Sequence, residues 1–175
     1  MQGLLVAFCL GGIMDLQQYQ NNLPTNIEDL SKFVLVGREA LTSVKANIRA
    51  IDKLETASEV REQKKQEAQW LASALLDAEV RIGEILKNTE FSKGGRGKTG
   101  STASTSLDKL GLTKDQSSKF QKLANHKEIV ERVKAEAKDN DDLPTRTEVL
   151  REIKRTEIKD KALKREHEIS LSSNK

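Results

Sequence analysis

From Ile27 onward the chain repeats one pattern: Ile27, Leu30, Val34, Gly37, Leu41, Val44, Ile48 and Ile51 follow one another at alternating steps of three and four. An α-helix brings positions so spaced onto one stripe, and a stripe of this kind is the seam of a coiled coil or a helical hairpin. The steps resume at Ala68, Leu71, Leu75, Ala78, Ile82 and Ile85, after an almost wholly charged run from Glu59 to Glu67. Neither Gly nor Pro falls between Gly37 and Gly83, so a single rod of about 90 Å is sterically permitted at about 1.5 Å per residue. Thr56 and Ser58 argue for a break instead. Short hydroxyl side chains compete with the backbone inside a helix and satisfy its orphan amides at the start. A hairpin over residues 24–88 is therefore the preferred arrangement, its first helix opened by a Thr25/Glu28 capping box just after Pro24. Two helices alone have little core, so the stripe needs a partner. A second copy, giving a homodimer through residues 27–86, meets that need; so does packing on the chain's own C-terminal helices.

A second helical unit is expected over residues 106–155. Leu107 and Leu110 lie on a short apolar turn that ends at Gly111, where a left-handed cap is free for a residue without a Cβ. Thr113 and Gln116 then form a capping box that starts a new helix. Ser117, Phe120 and Ala124 share its packing face, while Asp115, Ser118, Lys119 and Lys122 share the opposite one. Helix, tight turn, helix with a Lys/Ser/Asp outer face is the layout that sets a recognition helix in a major groove. Further amphipathic segments carry Ile129, Val130, Val133 and Ala137, then Val149, Leu150 and Ile153 behind a cap at Thr145 and Glu148. Residues 156–175 thin out to Ile158 and Leu163 among charges and are expected to form a frayed helix and a disordered tail.

Charge has to be judged locally, because the whole chain carries a net charge of only +3. Between Ser92 and Ala124, seven bases face two acids, Asp108 and Asp115. Such an island supplies the local field that phosphate binding requires. It includes Arg96 and Lys98 on a Gly/Ser/Thr linker over residues 89–105, an arm able to lie along phosphates or enter a minor groove; a plain solvated linker fits the same composition. The Gly97-Lys98-Thr99 run is the tail of a phosphate-binding loop, but Ser92 stands where the first glycine belongs and no strand precedes it, so no nucleotide site is expected.

Only 3% of residues are aromatic and 33% are charged, a composition that suits an all-α protein better than a sandwich. The single cysteine, Cys9, allows no intramolecular disulfide, and a reducing, cytoplasmic setting is expected. His126 and His167 lack metal-ligand spacing, so neither metal nor cofactor is expected, and His126 belongs instead at the end of a helix. Residues 1–23 are read as an apolar leader and a disordered N-terminus; the run from Met1 to Ile13 has no preceding Lys or Arg and is too short to span a bilayer, so no membrane partner is expected.

The run Leu110-Gly-Leu-Thr-Lys-Asp-Gln-Ser-Ser-Lys-Phe-Gln-Lys-Leu-Ala, followed by Lys-Glu-Ile-Val-Glu-Arg-Val, resembles the helix-turn-helix region of ParB-type partition proteins. With Ala78-Glu-Val-Arg-Ile-Gly-Glu-Ile-Leu and the Lys-Gly-Gly-Arg-Gly-Lys linker, residues 24–155 resemble uncharacterised proteins of bacteriophages, prophages and conjugative elements. The first resemblance implies contact with double-stranded DNA through Lys114, Gln116, Ser118, Lys119 and Lys122. Two positions depart from its pattern. Ser117 stands where a helix-turn-helix usually buries a valine or isoleucine, and Asp115 would repel phosphate unless it accepts from a cytosine amino group. The partition proteins' nuclease-like motif is missing, and no nucleophile-and-base pair or carboxylate cluster suggests an enzyme. Two functions are therefore expected in order: a DNA-binding accessory or regulatory protein of a mobile element, then an adaptor that binds a protein partner through the heptad surface.

Overall fold

The computed structural model describes residues 23–54, 58–88 and 107–173, and among these there are five α-helices and one 3-10 turn but no strand. The helices are α1 (Ile27–Leu54), α2 (Ser58–Asn88), α3 (Lys114–Asn125), α4 (Lys127–Asp139) and α5 (Arg146–Ser173), with the 3-10 turn Leu107–Leu110 ahead of α3. The protein is all-α. Cys9 and the linker residues Arg96 and Lys98 lie outside the described residues, as does any leader over residues 1–13.

Helix α1 is capped one residue later than the Thr25/Glu28 box expected for it. Asn26 Oδ1 accepts from the Asp29 amide at 2.8 Å, because the helix begins at Ile27 and places Asn26, not Thr25, at the capping position. Helices α1 and α2 pack along each other, and their apolar stripes meet C-terminal helices in one core. Leu30, Phe33, Val34 and Val44 of α1 are buried, as are Leu71, Leu75, Leu76, Ile82 and Leu86 of α2. Leu30, Val34 and Val44 of the seam that begins at Ile27 are thus covered within one chain, while Ile27, Leu41, Ile48 and Ile51 stay half-buried. Burying each such side chain contributes roughly 1.5–3 kcal/mol. Phe33 lies off the strict three-four seam and is nonetheless 3% exposed, because the buried stripe of α1 is wider than a coiled-coil seam.

Gly83 sets how closely α2 approaches α3. A Cβ at this position would stand 2.5 Å from the carbonyl carbon of Phe120 and nearer still to its oxygen. The missing side chain lets the two helix backbones touch. Phe120, wholly buried, and Leu123 then fill the space between α2 and the C-terminal helices. Polar contacts add to this packing: Lys87 Nζ of α2 donates to Asn125 Oδ1 of α3 at 2.7 Å, and Lys127 at the start of α4 pairs with Glu84 of α2.

The expected helix ahead of α3 is only one 3-10 turn, so α3 is braced chiefly by α2. Gly111 follows the turn at φ +65°, the left-handed conformation expected there. The amide of Leu112 donates back to the Leu107 carbonyl at 3.0 Å and closes the turn. His126 alone separates α3 from α4: its amide donates to Leu123 O, and its own carbonyl accepts from Ile129 at 3.0 Å. Helix α5 starts behind Thr145, whose Oγ1 accepts from the Glu148 amide at 3.2 Å. It packs through Val149 and Ile153, both fully buried, then continues to Ser173 with Ile158 and Leu163 exposed.

Candidate nucleic-acid interface

The five positions expected to touch DNA lie on α3, and its first turn is fixed by the capping box. Thr113 Oγ1 accepts from the Gln116 amide at 3.1 Å, while Gln116 Oε1 accepts from the Thr113 amide at 2.8 Å. This satisfies two backbone donors and fixes the direction in which the helix leaves Gly111. Ser117, Phe120, Leu123 and Ala124 face inward, and the Ser117 hydroxyl accepts from Gln121 Nε2 at 3.2 Å. A serine is therefore accommodated at the position where the helix-turn-helix pattern favours an apolar residue.

The outward positions differ in how free they are. Lys114 and Ser118 are exposed, and Lys114 has no ion-pair partner among the described residues. Lys119 Nζ donates to Asp115 Oδ2 at 2.6 Å, one turn earlier on the same face. Lys122 Nζ lies 3.0 Å from Glu157 Oε1 on α5, and the hydrogen bond between these side chains is the main reason the Glu157 carboxyl sits below its ordinary range. His126 approaches the same carboxylate, with Nε2 at 4.0 Å from Oε1. Gln116 spends its oxygen on the cap and lines a cleft of about 320 Å³ between α1, the 3-10 turn and α3. Arg96 and Lys98 fall outside the described residues; Lys114, Ser118, Lys119 and Lys122 lie on the outward side of α3, whereas Gln116, two residues after Lys114, lies toward the α1 cleft with Phe120.

Behind this face is a charged cluster that the sequence reading did not single out. Glu79 of α2 is 3% exposed, and its Oε1 accepts from Arg38 Nη2 of α1 at 2.5 Å and from Arg146 Nη1 of α5 at 3.3 Å. Both guanidinium groups lie over the Phe120 ring, 6.0 Å and 5.8 Å from its centroid. Four helices therefore meet at one carboxylate and one aromatic ring, with cation–π attraction adding to the ion pairs. Burial pushes the Glu79 carboxyl above its ordinary range, and the charges of Arg146 and Arg38 only partly oppose it. A signal was present: Glu79 stands three or four residues from Leu75, Leu76, Ile82 and Gly83, inside an apolar stripe.

No described helix is long and apolar enough to cross a membrane, and no group of three or more His, Cys, Asp or Glu among the described residues could hold a metal ion. Compared with protein-family models, with curated proteins and with solved structures, the chain has no significant match.

Proposed function

We propose that this chain is a DNA-binding accessory or regulatory protein that offers the outer face of α3 to duplex DNA. The observation that carries the reading is the orientation of α3: Phe120 and Leu123 are fully buried against its support, while Lys114 and Ser118 in its first two turns face solvent. Residues at the start of a recognition helix are the ones that reach base edges, and flanking lysines position the helix on phosphates. Lys114 supplies a cation that no described acid neutralises, Lys119 and Lys122 are cations held in place by acids, and Ser118 is the polar group on this face able to read bases. The expected helix-turn-helix then consists of the 3-10 turn, Gly111 and α3, with the C-terminal half of α2 as its brace. The mobile-element setting comes from the resemblance alone.

Fluorescence anisotropy with labelled duplexes at two salt concentrations tests this reading. The double substitution Lys114→Ala, Lys122→Ala should weaken binding across sequences and reduce the slope of log affinity against log salt by about two. Ser118→Ala should change the preference between sequences. Unaltered affinity and slope in the lysine variant would remove the proposal. The adaptor reading is favoured by a different observation, the exposure of the adjacent Leu35 and Val36 on α1, and it predicts capture of a protein partner that survives high salt.

A further inference from the structure

The inner face of α1 is consumed by the core, and its outer face carries two large apolar residues side by side, Leu35 at 67% and Val36 at 47% exposure. Along the same outer stripe, at helical spacing, lie Glu28, Lys32, Glu39 and Ser43, all exposed. Lys32 precedes Leu35 by three residues, and Glu39 follows Val36 by three. The order of charges therefore inverts about the midpoint of the apolar pair.

From this inversion we propose that α1 pairs with α1 of a second copy, antiparallel, about a two-fold axis passing between Leu35 and Val36. In an isologous contact of this kind Leu35 meets Val36 of the second copy, Lys32 meets Glu39, and Glu28 meets Ser43. No like charges are opposed. A parallel pairing would set Lys32 against Lys32 and Glu39 against Glu39, and an antiparallel pairing centred on Glu39 would oppose that carboxylate to its own copy. Charge thus selects both direction and register, the task that e and g positions perform in coiled coils. Lys32 is available for it: its side chain is 75% exposed and lies 3.6 Å from Asp29, a loose contact at the surface. Glu39 has no ion-pair partner among the described residues.

The contact is short. From Glu28 to Ser43 the helix runs about 24 Å at 1.5 Å per residue. One stripe of that length buries less than the roughly 800 Å² per partner of a standard interface, so dissociation in the micromolar range is expected. Because Lys32 and Leu35 border the same cleft as Gly111, Leu112 and Gln116, the pairing lies beside the start of α3. Two copies would then present two α3 helices under one two-fold axis, the symmetry that a palindromic duplex matches. That last consequence rests on the proposed DNA reading; the pairing itself does not.

The test is sedimentation equilibrium of the full chain without DNA, over a concentration series spanning the micromolar range. Lys32→Glu alone should weaken self-association about tenfold, because two symmetry-related attractions become repulsions at an exposed site. Glu39→Lys alone should do the same. An equimolar mixture of the two variants should restore association as a heterodimer. The acid placed at position 32 of one chain then faces the base placed at position 39 of the other, and the second contact keeps its native Lys32 and Glu39. Leu35→Glu should abolish pairing while circular dichroism shows an unchanged helix content, as expected for an exposed site. The proposal is overturned if the wild-type chain is monomeric throughout, if either charge reversal leaves association unchanged, or if the mixture fails to restore it. The Lys114→Ala, Lys122→Ala variant should self-associate like wild type, so loss of DNA binding and loss of pairing are read separately.

Discussion

Replacing Gly83 by alanine should push α3 away from α2, and the structure allows the cost to be worked out. The added Cβ would lie 2.5 Å from the carbonyl carbon of Phe120 and 3.0 Å from the Ala124 Cβ. Carbon atoms pack at about 3.5 Å or more, so α3 must withdraw by about 1 Å. The obstacle is backbone in the middle of a helix, which has no rotamer to change, and overpacking of this kind costs about 1–3 kcal/mol. Alanine also removes the entropic penalty of glycine inside a helix, an offset of about 0.5–1 kcal/mol. A net loss of about 1–2 kcal/mol is expected from these two terms. Gly37 is the internal control. Its Cβ would meet Leu75 Cδ2 at 2.7 Å, the end of a side chain that can rotate aside, so Gly37→Ala should be within about 1 kcal/mol of neutral. Both variants can be followed by urea unfolding through the fluorescence of Trp70, the sole tryptophan, which lies in a cleft beside Lys134 and Pro144. With a slope of about 1–3 kcal/mol per molar urea, the Gly83→Ala midpoint should fall by roughly 0.5–1 M. A Gly83→Ala protein as stable as wild type, or a Gly37→Ala protein that is the less stable of the two, would refute the close-approach argument.

Two further predictions concern charge. The Glu79 carboxyl is raised above its ordinary value of 4.5 chiefly by burial, so between that value and its folded pKa the native state holds a proton that the unfolded chain releases. Wild-type stability therefore carries a component that falls as pH rises through this window; Glu79→Gln lacks it, and the variant should gain on wild type with rising pH before the difference levels off. Urea midpoints of both proteins from about pH 4 upward check this, and parallel curves would show that the buried carboxylate titrates normally. At the surface, Glu157→Gln removes the carboxylate that holds Lys122, and Asp115→Asn removes the one that holds Lys119. Each should tighten duplex binding severalfold, because the lysine no longer has to leave a carboxylate to reach phosphate; unchanged affinity would mean that the lysine does not reach phosphate.

Much of the helical plan was open to inspection in the amino-acid order because its causes are local. The three-four spacing of Leu30, Val34 and Val44, the Thr113/Gln116 cap and the left-handed Gly111 act over one or two helical turns, and the structure shows each one. The inward set of α3 was also legible, with Phe120 and Ser117 on the buried side. The start of α1 was legible only to within a residue, since Thr25 and Asn26 are both good caps with an acid three residues on. The Glu79 cluster was missed because a single acid inside an apolar stripe has no local explanation; its two arginines lie 41 and 67 residues away in sequence. Spacing likewise marked Lys122 as outward but could not show the Glu157 carboxylate, 35 residues on, that accepts its hydrogen bond.

What the residues alone determined is which segments are helical, to within a residue or a turn at their ends, and which side of each is apolar, since hydrogen bonds between near neighbours and the 3.6-residue repeat require nothing from the rest of the molecule. Only the tertiary structure decided that Leu30, Val34 and Val44 of the Ile27 seam are covered within one chain and that Leu35 and Val36 are left facing outward. It also decided that two of the α3 lysines meet acids while Lys114, among the described residues, does not. The reason is physical: burial and pairing belong to surfaces brought together from distant parts of the chain, and the free energy of a charge depends on which atoms surround it once they meet.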